Sequence, residues 1–123
     1  MKFSIIINTH NQEKFINKAI RSSLNQTFKD FELIIVDSSN KKLKSKILTK
    51  YKNKVKYFHF QSKSKYPEMN QMYKIFYAFK KSKGKYICLM DGDDFFKKNK
   101  LSLLNKLTSE KKFTFNQDNP IIV

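Results

Sequence analysis

Three nearly uninterrupted apolar runs, Phe3 to Asn8, Phe31 to Val36 and Tyr86 to Met90, constrain the fold more than any other feature of this chain. Runs this short, rich in β-branched residues and closed by polar residues, suit strands buried on both faces, as in a sheet covered on both sides. Val55 to Phe60 alternates instead, with Val55, Tyr57 and His59 set against Lys56, Phe58 and Phe60, and reads as a less deeply buried strand. Helical spacing fills the intervals. Asn11 is placed to cap a helix to about Asn25, with Phe15, Ile16, Ala19, Ile20 and Leu24 on one stripe. Asn40 to Tyr51 reads as a lysine-rich helix with Leu43, Ile47 and Leu48 as its thin apolar side.

Pro67 opens a helix to about Ser82, with Met69, Met72, Tyr73, Phe76 and Phe79 inward and Gly84 just past its end. A last helix is expected from about Lys98 to Leu107, and Phe113 to Phe115 begins a further strand. The order βαβαβαβα predicts an α/β fold: a mostly parallel sheet with helices on both faces. Ligands of such sheets sit at the carboxyl ends of the strands, here Asn8-Thr9-His10, Asp37-Ser38-Ser39 and Asp91 to Asp94. With 123 residues, no linker and no repeat, the chain is expected to form a single domain over residues 1–123.

Charge raises a competing reading. The formal charge is +16, from 26 basic and 10 acidic residues, which points first to nucleic acid or an anionic membrane surface. Only Arg21 is arginine, so the forked guanidinium that favours base reading and bidentate phosphate contacts is almost missing. A lysine-coated, solvated surface accounts for most of the excess, and nucleic acid is not the expected partner. Cys88 is alone in an apolar run and reads as a small buried hydrophobe, which fits a reducing compartment. The apolar start ends at Asn8, too short for a signal peptide, and no apolar run approaches a spanning helix. The expected setting is cytoplasmic, with peripheral contact at the inner face of a membrane left open.

Acidic residues are few, and three of them, Asp91, Asp93 and Asp94, fall within four positions after the most apolar strand. Clustered carboxylates repel, so something positive should compensate them, and a hard divalent cation such as Mg²⁺ or Mn²⁺ suits oxygen ligands shared with phosphates. Gly92 lets the backbone turn tightly between Asp91 and Asp93. The alternative is a turn whose aspartates cap the next helix, the better account of Asp94. The calcium-loop spacing is missing, His10, His59 and Cys88 are too scattered for zinc, and no glycine-rich phosphate loop or nucleophile elbow is present.

Four blocks together resemble the amino-terminal half of a family 2 glycosyltransferase of GT-A fold. Phe3-Ser4-Ile5-Ile6-Ile7-Asn8-Thr9-His10-Asn11 stands where that family shows a strand followed by P-T-Y-N. Ala19-Ile20-Arg21-Ser22-Ser23-Leu24-Asn25-Gln26-Thr27-Phe28 resembles its I-x-S-v-L-x-Q-T-y. Phe31-Glu32-Leu33-Ile34-Ile35-Val36-Asp37 is similar to f-E-i-i-v-V-D-D-G-S, and Gly84 to Asp94 to G-e-Y-i-x-f-l-D-x-D-D.

The resemblance implies a three-layer, Rossmann-like GT-A sheet that binds a nucleotide-diphospho-sugar, a UDP-sugar leading, through a metal-dependent DxD motif with Mn²⁺ or Mg²⁺. By the same resemblance, Thr9 and His10 lie against the base and ribose, and Asp37 matches the first acid of D-D-G-S. Asp91 faces the ribose or sugar with metal contact, and Asp93 ligates the metal. The acceptor would be a saccharide or a lipid-linked molecule, in polysaccharide assembly and with inversion.

Departures from the pattern are specific. Ser38 stands where the family usually has a second Asp that touches the base, and Asn8 replaces the usual Pro. Tyr66 to Gln71 replaces an Arg-Asn pair, so that either Asn70 or Gln71 reaches the nucleotide or both simply open a helix. The family's second half supplies the acceptor site and a carboxylate base. Beyond Asp94 only Glu110 and Asp118 remain, neither in a recognisable motif, so the chain reads as a donor-binding half, a truncation or a protein that needs a partner, with the acceptor half absent and the catalytic base unassigned. Two readings compete with it. A basic nucleic-acid-binding module draws on Ser38 to Pro67, with ten lysines, Tyr51, Tyr57 and Phe58. A donor-binding pseudoenzyme would keep the fold without turnover.

Overall fold

The computed structural model describes residues 1–61, 65–110 and 121–123. Strands β1 (Phe3–Thr9), β2 (Phe31–Asp37), β3 (Val55–His59), β4 (Tyr86–Asp91) and β5 (Ile121–Ile122) form one sheet in the order β3-β2-β1-β4-β5. All four pairings are parallel. The apolar runs fold as strands where the sequence places them. The strand expected over Phe113 to Phe115 lies outside the described residues.

Helices α1 (Glu13–Leu24) and α4 (Lys100–Glu110) cover one face, where Ile16, Ala19, Ile20 and Leu101 pack on Phe3, Ile5, Ile7, Leu33, Ile35 and Cys88. Helix α3 (Pro67–Lys81) covers the other face, setting Ala78 and Phe79 on Ile6, Ile34, Val36 and Ile87. This is the three-layer α/β architecture. Each isoleucine taken fully out of water contributes about 1.5–3 kcal/mol, so β1 and β2 anchor the domain.

Several local expectations are corrected. Asn11 does not cap α1: it sits at φ 50, and its Oδ1 accepts from the Asn40 N–H at 2.9 Å, while Gln12 takes the cap position without a side-chain bond. Asn is one of the few residues that tolerate the left-handed region, and here it braces two loops. Phe15 is 54% exposed, because the stripe that meets the sheet runs through Ile16, Ala19, Ile20 and Ser23, one position round the helix.

The helix expected over Asn40 to Tyr51 shrinks to α2 (Lys46–Lys50), capped by Ser45 Oγ, which accepts from the Ile47 N–H. It has no acid in its first turn and no buried residue. Five lysines between positions 41 and 50 repel one another, and Leu43 is held instead by its N–H bonding the Tyr57 hydroxyl. Helix α4 begins two residues later than expected and runs to Glu110.

The largest correction concerns α3. Met69, Met72, Tyr73 and Phe76 face outward at 42–66% exposure, and only Phe79 of the expected set packs inward. Lys74 and Ala78 are the buried pair. The helix is apolar on more than one side, so periodicity alone does not choose its inner face.

A buried carboxylate ties the strands together at the opposite end from the candidate site. Glu32 of β2 is 3% exposed, and its Oε1 accepts from Ser4 Oγ at 2.7 Å and the Lys83 N–H at 2.6 Å. Oε2 pairs with Lys56 Nζ at 3.2 Å. Burial by itself raises the Glu32 pKa, but these bonds outweigh it and hold the carboxyl below its ordinary value. A carboxylate with a lowered folded pKa stabilises the fold above its unfolded pKa, and the benefit is lost as pH falls through the folded value. Urea unfolding at pH 7 and pH 4 should therefore show an acid loss that Glu32→Gln flattens, the variant costing about 1–3 kcal/mol at pH 7.

Candidate functional site

β1, β2 and β4 end side by side: Thr9 is in register with Asp37, and Asn8 with Asp91. Thr9, His10, Asp37 and Asp91 are thereby brought to one edge of the sheet, with Asp93 and Asp94 in the loop that follows β4. Strand alternation sets Thr9 and Asp37 toward α1, and Ser38 toward α3.

Asp91, Asp93 and Asp94 are all exposed, and each offers a carboxylate oxygen within 4.8 Å of the others. The turn is held by Gly92 N–H on Asn8 O and Asp94 N–H on Asp91 O, both at 3.0 Å. Gly92 is required by close approach. A Cβ there would stand 2.7 Å from Gln12 Oε1 and would collide with Thr9 Oγ1. Burial, reinforced by Asp94 and then Asp93, raises the Asp91 pKa, and Lys74 opposes the shift. Three hard, solvent-accessible oxygen donors that repel one another fit a divalent cation of the Mg²⁺ or Mn²⁺ class.

Asp37 is 1% exposed and fully engaged. Its Oδ1 accepts from the Ser39 N–H at 2.9 Å and from Ser39 Oγ, and its Oδ2 accepts from the Tyr57 hydroxyl at 2.5 Å. Burial, then that bond to Asp37, pushes the Tyr57 pKa up, so the phenol stays protonated and donating. The carboxylate thus shapes the loop after β2, where Ser39 Oγ in turn accepts from the Asn11 N–H at 2.8 Å.

Thr9 is 3% exposed, and its hydroxyl donates to Gln12 Oε1 at 2.9 Å. His10 is exposed. Its Nδ1 lies 2.8 Å from Ser38 O, which can only accept, so Nδ1 carries the proton and Nε2 accepts from Asn11 Nδ2 at 3.3 Å. A shallow crevice runs between these loops, lined by Thr9, Gln12, Glu13, Asp37, Ser39 and Lys41. Asn8 Oδ1 is buried with no hydrogen-bond partner among the described residues.

Four residues that organise this edge escape a sequence reading. Ser39 carries the signal of an Asp two positions earlier, the spacing of a side chain that caps its own turn. Gln12, Tyr57 and Lys74 carry none: one lysine among 25 does not announce itself. Asn70, one of the two residues offered for the nucleotide, begins the inner row of α3 at intermediate exposure, while Gln71 is exposed.

A family model described as Glycosyl transferase family 2 matches residues 4–120. An uncharacterized glycosyltransferase of Rickettsia bellii is 34% identical over 116 residues, covering 93% of this chain and 16% of the relative. The GalNAc(5)-diNAcBac-PP-undecaprenol beta-1,3-glucosyltransferase of Campylobacter jejuni is 32% identical over 112 residues, 89% of this chain and 35% of the relative. Among solved structures, S. aureus TarS 1–349 in complex with UDP superposes with a TM-score of 0.73 at 28% identity, over 89% of this chain and 32% of that one. The same protein in complex with UDP-GlcNAc gives 0.73 at 30% identity. This chain therefore spans about a third or less of the proteins it matches. On the family match, the parallel sheet and the convergence of the same three strand ends, the chain belongs to glycosyl transferase family 2.

Proposed function

We propose that residues 1–123 form the donor-binding part of a glycosyltransferase that takes a nucleotide-diphospho-sugar, UDP-sugars first, and passes the sugar to a saccharide or lipid-linked acceptor with inversion. The observation that carries this reading is the exposed carboxylate cluster at the carboxyl edge of the sheet, beside the crevice at the ends of β1 and β2. The structures of TarS in complex with UDP and UDP-GlcNAc support the donor class.

Asp93 and Asp91 would hold the cation. When bound, Mn²⁺ or Mg²⁺ neutralises the diphosphate and stabilises it as a leaving group. The chain's own residues bind and orient. Thr9 and His10 flank the nucleoside, and Asp37 acts through the Ser39 and Tyr57 it holds in place. The lysine-rich surface adds a favourable field for an anionic donor. A cytoplasmic setting goes with this reading.

Calorimetric titration with UDP in the presence of Mn²⁺, then with EDTA, tests it. Binding that EDTA abolishes is the expected result. A folded chain that takes no nucleoside diphosphate under either condition overturns the reading.

A further inference from the structure

Helix α3 turns to solvent a face that a helix bathed only in water has no reason to carry. Met69, Met72, Tyr73 and Phe76 stand at positions i, i+3, i+4 and i+7, so they form one continuous stripe over two turns. They are 42%, 65%, 66% and 62% exposed. The stripe lies opposite Lys74 and Ala78, the residues buried against the sheet. Single exposed apolar side chains are ordinary, whereas a contiguous patch marks a surface made for contact.

Charge around the stripe selects the kind of contact. Between positions 65 and 85 five lysines are exposed, Lys65, Lys80, Lys81, Lys83 and Lys85, against one acid, Glu68. Lys80 continues the stripe toward the end of the helix, its Nζ 4.8 Å from the centroid of the Phe76 ring. Lys81 Nζ stands 5.5 Å from that of Tyr77. Ammonium groups on apolar stems suit the level of anionic headgroups, with the stems and rings beneath them. Within the stripe itself the Tyr73 hydroxyl is the one polar side-chain group, so nothing there reads the detail of a protein partner. A second copy of the chain fits less well, since it would bring another charge of +16 to the same face. Four side chains exposed to this degree offer roughly 500 Å², short of the ~800 Å² per partner of a stable interface.

We propose that the outer face of α3 docks on an anionic lipid surface, with Met72, Tyr73 and Phe76 entering the boundary between headgroups and acyl chains and Lys65, Lys80 and Lys81 meeting lipid phosphates. The contact goes beyond the donor-site reading and does not need it. Geometry nonetheless links the two. On the inner side of α3, Lys74 Nζ donates to Thr9 O at 2.9 Å and to Ser38 Oγ at 2.8 Å. The helix is thereby pinned to the ends of β1 and β2, and the candidate site stands at a fixed place beside the lipid, as an acceptor carried on lipid requires.

Flotation of the full chain with vesicles of phosphatidylcholine alone, and with an equal part of phosphatidylglycerol added, tests the proposal. The chain should float with the anionic vesicles and not with the neutral ones. A charge of +16 attracts any anionic surface, so the decisive variants leave the charge unchanged. Met72→Ser with Phe76→Ser should weaken binding by about tenfold or more. Leu103→Ser with Leu107→Ser, similarly exposed on α4 across the sheet, should leave it unaltered. The chain has no Trp, so Phe76→Trp is a direct reporter. Its emission should shift to the blue on anionic vesicles and be quenched by brominated lipid, and that of Leu103→Trp should do neither.

Equal binding by the two serine pairs, or Phe76→Trp emission indifferent to vesicles, would overturn the assignment and leave only a diffuse attraction. A dimer in sedimentation equilibrium that Met72→Ser with Phe76→Ser dissolves would give the face to a second copy and overturn it as well. If the serine pair does not fold by circular dichroism, the conservative Phe76→Trp variant decides. UDP affinity is a separate readout in every variant, and the donor site stands or falls on it alone.

Discussion

Asp93→Asn is expected to weaken Mn²⁺-dependent UDP binding by at least about a hundredfold while raising the melting temperature of the metal-free protein by about 1–3 °C. The two effects have one cause. Asp91, Asp93 and Asp94 keep their oxygens within 4.8 Å of one another, and the Asp91 pKa is raised first by burial and then by the repulsion of Asp94 and Asp93, which Lys74 opposes. Replacing one carboxylate by an amide relieves it, hence the gain in stability. The same replacement removes a charged oxygen from the set that would hold the cation, hence the loss in binding. Calorimetry and a thermal melt in EDTA read the two arms. A site with no metal role would show the stability gain alone. A purely structural turn, with Asp93 bonded to its own loop, would show a loss of stability instead.

The second large effect concerns the chain's two glycines, which should differ in where the cost falls. Gly84→Ala is expected to cost about 3 kcal/mol and lower the melting temperature by about 10–20 °C. A Cβ at Gly84 would stand 2.5 Å from Phe3 C and 2.5 Å from Ser4 N, backbone atoms of the central strand that cannot yield without moving the sheet. It would also break the run in which the Gly84 N–H bonds Ser4 Oγ at 2.9 Å and Ser4 in turn bonds Glu32. Gly92→Ala meets Gln12 Oε1, which can rotate away, and also Thr9 Cβ at 2.7 Å, which moves only with its own backbone. The strain falls at the end of β1 and on the loop after β4 rather than on the middle of the sheet, so the fold should lose less than in Gly84→Ala, while the displaced carboxylate loop should lose UDP affinity. Equal falls in melting temperature for the two variants would contradict this division.

Physical reasons separate what could be read from the chain alone from what could not. β1, β2 and β4 are legible because a strand buried on both faces has no polar face to interrupt it, and their carboxyl ends, with Asp37 and Asp91, follow at once. The orientation of α3 is not legible. Met69, Met72, Tyr73 and Phe76 make a better apolar stripe than Lys74 and Ala78, yet the buried lysine is secured by Thr9 O and Ser38 Oγ, two partners remote in sequence. Likewise Asp37 reads as a ligand-facing acid until its oxygens are found on Ser39 and Tyr57, the latter twenty residues away. Tertiary hydrogen bonds decide these cases, and they have no period.

The position of β1 in the middle of the sheet also orders events in time. Phe3 pairs with Phe31 on one side and with Tyr86 on the other, so the two flanks of the same strand close at very different moments as the chain emerges from the ribosome. Once β2 and β3 exist, a three-stranded intermediate can form whose open border is the Ile5-Ile6-Ile7 strand, with its backbone groups unpaired until β4 is made. Nascent chains caught between the synthesis of His59 and that of Tyr86 carry the greatest risk of pairing with one another. That interval is where a chaperone would have most to protect.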